Sequence, residues 1–236
     1  MKRFWDQAAI ESGAGGYAIL LDSKTMRIPG GTELRVETRS LAEAIAAEWQ
    51  AAGGGKGGEM TMDDVPLTRL AGTALDRIAP DPAMVADALA TYAETDVLCY
   101  RAPQPLPLVH RQARSWQPWL DWLAQTHGAR LQPTEGIAML TQDPQALSIV
   151  CEVLLGQSAS MLAGLGLAVP ALGSVVLGLA LAEGALGAQA AHELAHLDEM
   201  YQEEQWGQDP WTMSRRANVA KDIALAARFM ALARAA

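Results

Sequence analysis

The chain has 236 residues, of which half are hydrophobic, and a formal net charge of −9. This length can bury a substantial core, and the hydrophobic content argues against disorder. The acidic charge argues against nucleic acid or anionic lipid as the main partner, because both select basic surfaces.

The first 65 residues alternate short apolar runs with turn residues. Runs at 17–21, 26–28 and 33–36 are separated by Asp22-Ser23-Lys24 and Pro29-Gly30-Gly31, which is typical of short strands. Ser40 is placed to cap a helix over 41–52, whose apolar residues recur at helical spacing. Trp49 lies on that apolar stripe, so we expect it to be buried.

A glycine-rich run at 53–58 has the composition of a phosphate-binding loop. It lacks the Lys-Ser/Thr ending of such loops and follows a helix where a strand is required. We therefore predict a flexible linker at 53–58, with no nucleotide site.

From Pro66 onward the pattern is helical. Asp-Pro pairs that mark helix starts recur at 81–82, 143–144 and 209–210. The predicted helices are 66–78, one that begins at Pro82, and then 108–127, 144–163, 171–183, 188–206 and 210–234. We expect Trp116, Trp119 and Trp122 to be core residues. The sequence thus predicts an α+β fold, with a small strand-containing domain at 1–65 and a larger all-helical domain at 66–236.

No charged residue occurs between Glu152 and Glu183, a gap longer than the roughly 20 residues that span a bilayer. Glycines and Pro170 interrupt this gap, and its apolar content is largely alanine and glycine. The pattern favours two tightly packed core helices that are broken near Pro170, and no integral membrane segment.

His192-Glu193-Leu194-Ala195-His196 fits the H-E-x-x-H pattern of zinc peptidases. Such enzymes need a third ligand from elsewhere, but most of the carboxylates that follow lie on the same predicted helix. A helical projection places His192 and His196 with Glu199 and Glu203, which is typical of a solvated face. We predict no metal site, no cofactor and no catalytic residues, and a zinc-dependent hydrolase is the alternative.

The same projection groups Glu199, Gln202 and Trp206 about 160° away from the side of Leu197 and Tyr201, which should pack inward. An aromatic residue beside polar acceptors is typical of an interface hot spot. We predict a partner-binding site formed by Glu199, Gln202, Trp206 and Asp209. The alternative is that Trp206 docks onto the following helix and Glu199 pairs with an internal arginine.

Ordered sequence blocks run from Lys2-Arg3-Phe4-Trp5 almost to the end of the chain. Further blocks lie at 41–49, 66–71, 92–101, 116–122, 172–174 and 197–209. Through these blocks the chain resembles the assembly chaperones of the F-type ATP synthase catalytic head, and among them the family that binds the unassembled α subunit. The glycine run at 53–58 and the two histidines depart from the family pattern.

The resemblance implies a small N-terminal domain with strands and a helical domain after it. It also implies a chaperone without ATPase activity that binds the free α subunit until the β subunit replaces it, so that apolar surface does not aggregate.

The first residues carry two basic side chains but no apolar run, so no signal peptide is predicted. The only two cysteines, Cys99 and Cys151, are not spaced as a disulfide framework, which is typical of a reducing compartment. We expect a bacterial cytoplasm, or the mitochondrial matrix if this is a processed form.

Overall fold

The computed structural model describes residues 1–136 and 138–234. The chain divides into two compact units. The first comprises Met1–Pro82, Ser158–Gly164 and Arg228–Ala236, and the second comprises Ala83–Gln157 and Leu165–Ala227. The division into domains 1–65 and 66–236 stays a prediction.

A small antiparallel sheet forms the beginning of the first unit. Its strands are β1 (Ala8–Gly13), β2 (Gly16–Leu21), β3 (Lys24–Thr25) and β4 (Arg35–Val36). β2 pairs with the other three, and its register with β1 runs from Ala8↔Leu21 to Gly13↔Gly16. A side chain at Gly16 would place its Cβ 2.2 Å from the carbonyl oxygen of Val36, so only glycine fits this close approach.

The predicted strands are correct in part. Residues 17–21 lie in β2, whereas residues 26–28 lie just after β3 and only Arg35–Val36 of the third run forms a strand. The sequence pattern missed β1, because its burial does not alternate and two of its six residues are alanines.

Helix α1 (Arg39–Ala51) packs on β1 and β2. It begins two residues before the predicted start, and its cap is Thr38, whose side chain accepts a hydrogen bond from the Leu41 amide. Ser40 instead donates to the Leu232 carbonyl oxygen at 2.9 Å. Trp49 is buried as predicted, with 4% of its surface exposed.

The glycine run is an ordered turn, so the prediction of a flexible linker is wrong. The Gly57 amide donates to the Arg3 carbonyl oxygen at 2.7 Å, and the Arg3 amide donates to the Gly58 carbonyl oxygen at 2.9 Å. Gly53, Gly54 and Gly57 have positive φ, and a Cβ on Gly58 would overlap the Gly53 carbonyl group. Glycine serves here to allow a tight backbone path, which composition alone does not distinguish from flexibility.

The remaining helices follow in chain order. They are α2 (Pro66–Thr73), α3 (Pro82–Ala90), α4 (Leu106–His127), α5 (Pro144–Leu155), α6 (Ala159–Leu172), α7 (Val175–Glu183), α8 (Ala188–Ala195), α9 (Leu197–Trp206) and α10 (Pro210–Arg234). A π-helical turn, Ala74–Ile78, continues α2. Two short parallel strands, β5 (Tyr100–Arg101) and β6 (Thr134–Glu135), lie among these helices.

Three predicted helix boundaries are wrong. The predicted helix 144–163 is broken at residues 156–158, where the Ser158 hydroxyl accepts from the Met161 amide. Pro170 lies inside α6, and the break comes at Gly173, which has a φ of 60°. The predicted helix 188–206 is broken at His196.

The second unit is organised around α7, whose residues from Val175 to Ala182 are all buried. Helix α4 and helix α8 pack against it. Trp116 is fully buried as predicted, whereas Trp119 and Trp122 are only half-buried. No helix in the described part of the chain is both long and apolar enough to cross a membrane.

A buried carboxylate fixes the start of α7. Asp96 is fully buried and accepts hydrogen bonds from the Ser174 hydroxyl at 2.8 Å, the Val176 amide at 3.1 Å and the Leu98 amide at 3.1 Å. Burial raises the pKa of Asp96 to about 6, although these hydrogen bonds oppose the shift. The Ser174 hydroxyl in turn accepts from the Leu177 amide and caps the helix.

Candidate partner-binding surface

Helix α9 carries three of the four predicted site residues, and α4 holds it on one side. Leu197 and Tyr201 are 6% and 8% exposed, so they pack inward as predicted. Gln112 donates to the Asp198 carboxylate at 2.7 Å, and Arg111 binds both Glu204 carboxylate oxygens at 2.7 and 2.8 Å. These hydrogen bonds lower the pKa of Glu204.

Helix α10 holds α9 through two ion pairs. Arg216 binds both carboxylate oxygens of Glu203 at 2.7 Å, with side chains that are only 14% and 12% exposed. Arg215 binds Glu199 at 2.8 Å in a pair that is more open to solvent. The bidentate pair fixes direction as well as distance, so the end of α9 has a defined orientation relative to α10.

The structure brings the four predicted site residues together. Glu199, Gln202, Trp206 and Asp209 border one shallow concavity of about 220 Å³. Gln202 is exposed, and Trp206 is 80% exposed. Their role in partner binding stays a prediction.

Asp209 also has a structural role at the start of α10. Its carboxylate accepts from the Thr212 amide at 2.8 Å and from the Thr212 hydroxyl at 2.9 Å. The hydrogen bond from the Thr212 amide is the main cause that lowers the pKa of Asp209. Asp209 therefore closes one side of the concavity while it caps the helix, as the Asp-Pro pattern predicts.

The alternative interpretation, in which Glu199 pairs with an arginine and Trp206 docks onto the following helix, is correct for Glu199 and wrong for Trp206. Glu199 does pair with an arginine, although Arg215 lies at the surface, with 49% of its side chain exposed. Trp206 does not dock onto α10, because 80% of its surface is open to solvent.

The sequence analysis did not single out two exposed apolar residues that follow Asp209 closely in the chain. Trp211 and Met213, at the start of α10, are 74% and 42% exposed. A tryptophan directly after an Asp-Pro helix start was the available signal, since the first turn of a helix makes few core contacts.

The two histidines of the zinc-peptidase pattern pack against each other, and they do not form the solvated face that the sequence predicts. Their rings stack at 4.5 Å, His196 is buried, and its Nδ1 lies 2.9 Å from the His192 carbonyl oxygen. Burial lowers the pKa of His192, and the neighbouring His196 lowers it further. The projection groups the two histidines correctly, but their face is not solvated, because Arg216 of α10 covers it and pairs with Glu203, whose side chain is only 12% exposed.

The Glu193 carboxylate is exposed and accepts a hydrogen bond from Gln189. Within residues 1–136 and 138–234, no three His, Cys, Asp or Glu side chains are grouped so that they could hold a metal ion. The geometry of this part of the chain gives the zinc-hydrolase alternative no third ligand.

The family model described as ATP12 chaperone protein matches residues 2–124. The chain belongs to the ATP12 chaperone family. Three solved structures agree with this assignment over almost the whole chain. Atp12 from Paracoccus denitrificans and a mutant of that protein are each 37% identical to this chain, with TM-scores of 0.93 and 0.94. Each match covers 99% of this chain and 98% of the Paracoccus chain.

A protein from Agrobacterium tumefaciens matches with a TM-score of 0.88 and 36% identity, over 97% of this chain and 84% of the other. The predicted α+β fold, with strands near the N-terminus and mostly helices after them, is therefore confirmed for this ATP12 family member. The predicted resemblance to the chaperone family is confirmed as well.

Proposed function

We propose that this protein is an assembly chaperone that binds the unassembled α subunit of the F-type ATP synthase catalytic head and prevents its aggregation until the β subunit associates. Membership of the ATP12 chaperone family supports the chaperone role. The main observation in support of the proposed binding site is the exposed indole of Trp206, which lies beside Glu199, Gln202 and Asp209.

We propose that the protein acts by binding alone, without catalysis or a cofactor. The protein covers an apolar surface of the free client, and mass action then favours the bound, unaggregated form. We also propose a bacterial cytoplasm as its location, or the mitochondrial matrix for a processed form; the similarity to proteins of Paracoccus denitrificans and Agrobacterium tumefaciens supports a bacterial source.

The chemistry of the surface suits this task. A tryptophan that is buried on binding supplies a large apolar contact, and the surrounding acceptors orient the partner. The Glu203–Arg216 and Arg111–Glu204 pairs already hold α9 in place. Little conformational freedom of α9 is therefore lost on binding, which favours affinity.

Truncation of Trp206 tests the proposal. We expect Trp206→Ala to lose co-purification with the α subunit and protection against its aggregation, measured by light scattering. The melting temperature should stay unchanged, because Trp206 is exposed. Leu106→Ala is the control, because Leu106 is 68% exposed on α4 and does not border the concavity. Equal protection by the two variants would contradict the proposed site.

Two lysine substitutions separate binding from folding. Glu199→Lys breaks the ion pair with Arg215, whereas Gln202→Lys puts a lysine at an exposed position of the same helix without breaking an ion pair. If the surface binds the α subunit, both variants lose the client. If only Glu199→Lys loses it, and that variant also melts at a lower temperature, the effect comes from folding and the proposed site is wrong.

A further inference from the structure

A buried histidine occupies the break between α8 and α9. His196 ends α8 and begins α9, with φ −107° and ψ 20°, and only 9% of its surface is exposed. Its Nδ1 lies 2.9 Å from the His192 carbonyl oxygen. Because a carbonyl group only accepts, Nδ1 carries the proton of the neutral ring. A further proton, on Nε2, would make this ring a cation at the bend of the chain.

The stacked histidines have little room for a positive charge. Their ring centroids are 4.5 Å apart, with an angle of 29° between the planes. In the described part of the chain the Nε2 atom of His192 is buried without a well-formed hydrogen bond, although the backbone of Arg216 lies close to the ring. A proton on either ring would therefore place a charge in a poorly hydrated site against the other ring.

Charged groups act on His192 from α8 and α10. The Glu193 carboxylate of α8 favours a proton on His192, whereas the guanidinium charge of Arg216 on α10 opposes it. Arg216 is itself held by both carboxylate oxygens of Glu203 on α9, and both side chains are at most 14% exposed. With neutral histidines, the cation of Arg216 and the anion of Glu203 balance each other.

The other neighbours do not supply an uncommitted charge. Arg215, one residue before Arg216, pairs with Glu199 of α9 at 2.8 Å. Arg111 of α4 pairs with Glu204, and α7, which also packs on α8, has no titratable side chain from Val175 to Ala182. An imidazolium formed at the break would therefore compete with the arginines of α10 for the carboxylates of α9.

We propose that His192 and His196, together with Glu203 and Arg216, form an acid-sensitive latch between α9 and α10. While both rings are neutral, Arg216 stays bound to Glu203 and the latch is closed. A proton on the pair repels Arg216 and competes for Glu203, so the ion pair opens and the end of α9, which carries Trp206, loses its fixed direction. The latch is a property of this chain alone and does not depend on the α subunit being the client.

The latch opens on the acid side of neutrality. Burial lowers the pKa of His192 from its ordinary 6.5, and the charges of His196 and Arg216 lower it further. The closed state therefore binds the proton less tightly than the open state. Its stabilisation is complete above about pH 6.5 and is lost as pH falls through the lowered pKa.

Hydrogen exchange of the full chain, measured by mass spectrometry of its peptides, tests the latch. Protection factors at about pH 7.5 and about pH 5.5 are compared, because they remove the intrinsic pH dependence of exchange. We expect the protection of α9 to fall at least about fivefold at the lower pH, while that of α7 changes less. Equal protection of α9 at the two pH values, or an equal loss in α7, would overturn the inference.

A double variant and a matched control assign the effect. His192→Phe/His196→Phe keeps two aromatic rings that cannot take a proton, so α9 should be equally protected at both pH values. His127→Phe removes a half-buried histidine of α4, which lies 2.8 Å from Glu183, and should keep the loss at low pH. Asp96 is present in every protein, so its own titration cannot produce the difference. A double variant that still loses protection of α9 would overturn the inference.

If the double variant fails to fold by circular dichroism, the parent protein decides. Proton NMR of the histidine Cε1–H signals gives their titration midpoints, with His110→Gln and His127→Phe to identify the remaining two signals. We expect these two midpoints below about pH 6.5, at the pH where α9 loses protection. Midpoints at or above that pH would overturn the inference. No client is present in any of these measurements, so their result is independent of the proposed function.

Discussion

The indole of Trp49 is enclosed by aromatic and polar contacts in the first unit. Its ring lies 4.9 Å from that of Trp5, and its Nε1 donates to the Thr68 hydroxyl at 2.8 Å. We expect Trp49→Ala to lower the free energy of unfolding by about 3–5 kcal/mol, as for other buried tryptophans. Urea denaturation measures this loss. Trp206→Ala is the matched control and should change stability by less than about 0.5 kcal/mol. A Trp49→Ala protein as stable as its parent would show that the indole contributes no packing.

Asp96 should impose a pH dependence on stability. Its pKa is about 6 in the folded protein against an ordinary value of 3.8, so the folded state holds the proton more tightly than the unfolded state. The stabilisation that results is complete below about pH 4 and is lost as pH rises through about 6, by up to roughly 3 kcal/mol.

Comparison with Asp96→Asn isolates this contribution. Because asparagine does not ionise, the difference in unfolding free energy between parent and variant should change between pH 4 and pH 6 and become constant above pH 7. Urea denaturation across this range measures it. Parallel profiles for the two proteins would mean that the Asp96 carboxyl titrates alike in the folded and unfolded states.

At the scale of elements, α2 depends on a cap supplied by α1. Val65, the N-cap residue of α2, makes no side-chain capping hydrogen bond. The Glu48 carboxylate instead accepts from the Leu67 amide at 2.9 Å and the Thr68 amide at 3.2 Å. We expect Glu48→Ala to cost about 1–2 kcal/mol in thermal or urea unfolding. Glu43→Ala on the same helix removes only an exposed ion pair and should cost about 0.5 kcal/mol. Equal losses would refute the capping role.

Elements whose signals are local could be predicted, and those fixed by distant contacts could not. Helices α4 and α10 were predicted within two residues of their starts, because proline, glycine and Asp-Pro signals mark their ends. The cap from Glu48 and the path of the glycine turn around Arg3 involve residues far apart in sequence. No periodicity within one segment reports such contacts.

The grouping of the candidate surface was predictable for the same reason. Glu199, Gln202 and Trp206 all follow the break at His196, so a projection of one straight helix describes them correctly. The same projection places His192 beside His196, as observed, but its prediction of a solvated face is wrong because Arg216 of α10 covers that face. Whether the Glu199 carboxylate pairs with an arginine of the same chain or with a partner depends on tertiary contacts. The sequence pattern does not contain this information.

For the whole molecule, we expect no stoichiometric zinc and no peptidase activity. The stacked histidines have no third ligand in the described part of the chain, and zinc binding at such a site needs one. Metal analysis after dialysis and a casein hydrolysis assay measure the two properties. One zinc per chain that is lost in His192→Ala, together with activity, would restore the hydrolase hypothesis.

The unequal burial of the seven tryptophans makes the protein its own optical probe. Trp5, Trp49 and Trp116 are buried, Trp119 and Trp122 are half-buried, and only Trp206 and Trp211 are exposed. Collisional quenching of the intrinsic emission by acrylamide, a neutral quencher, should therefore act mainly on the indoles of Trp206 and Trp211, of which Trp206 borders the candidate surface. Protection of Trp206 from acrylamide would follow the arrival of a client in real time, without a label that could obstruct the surface.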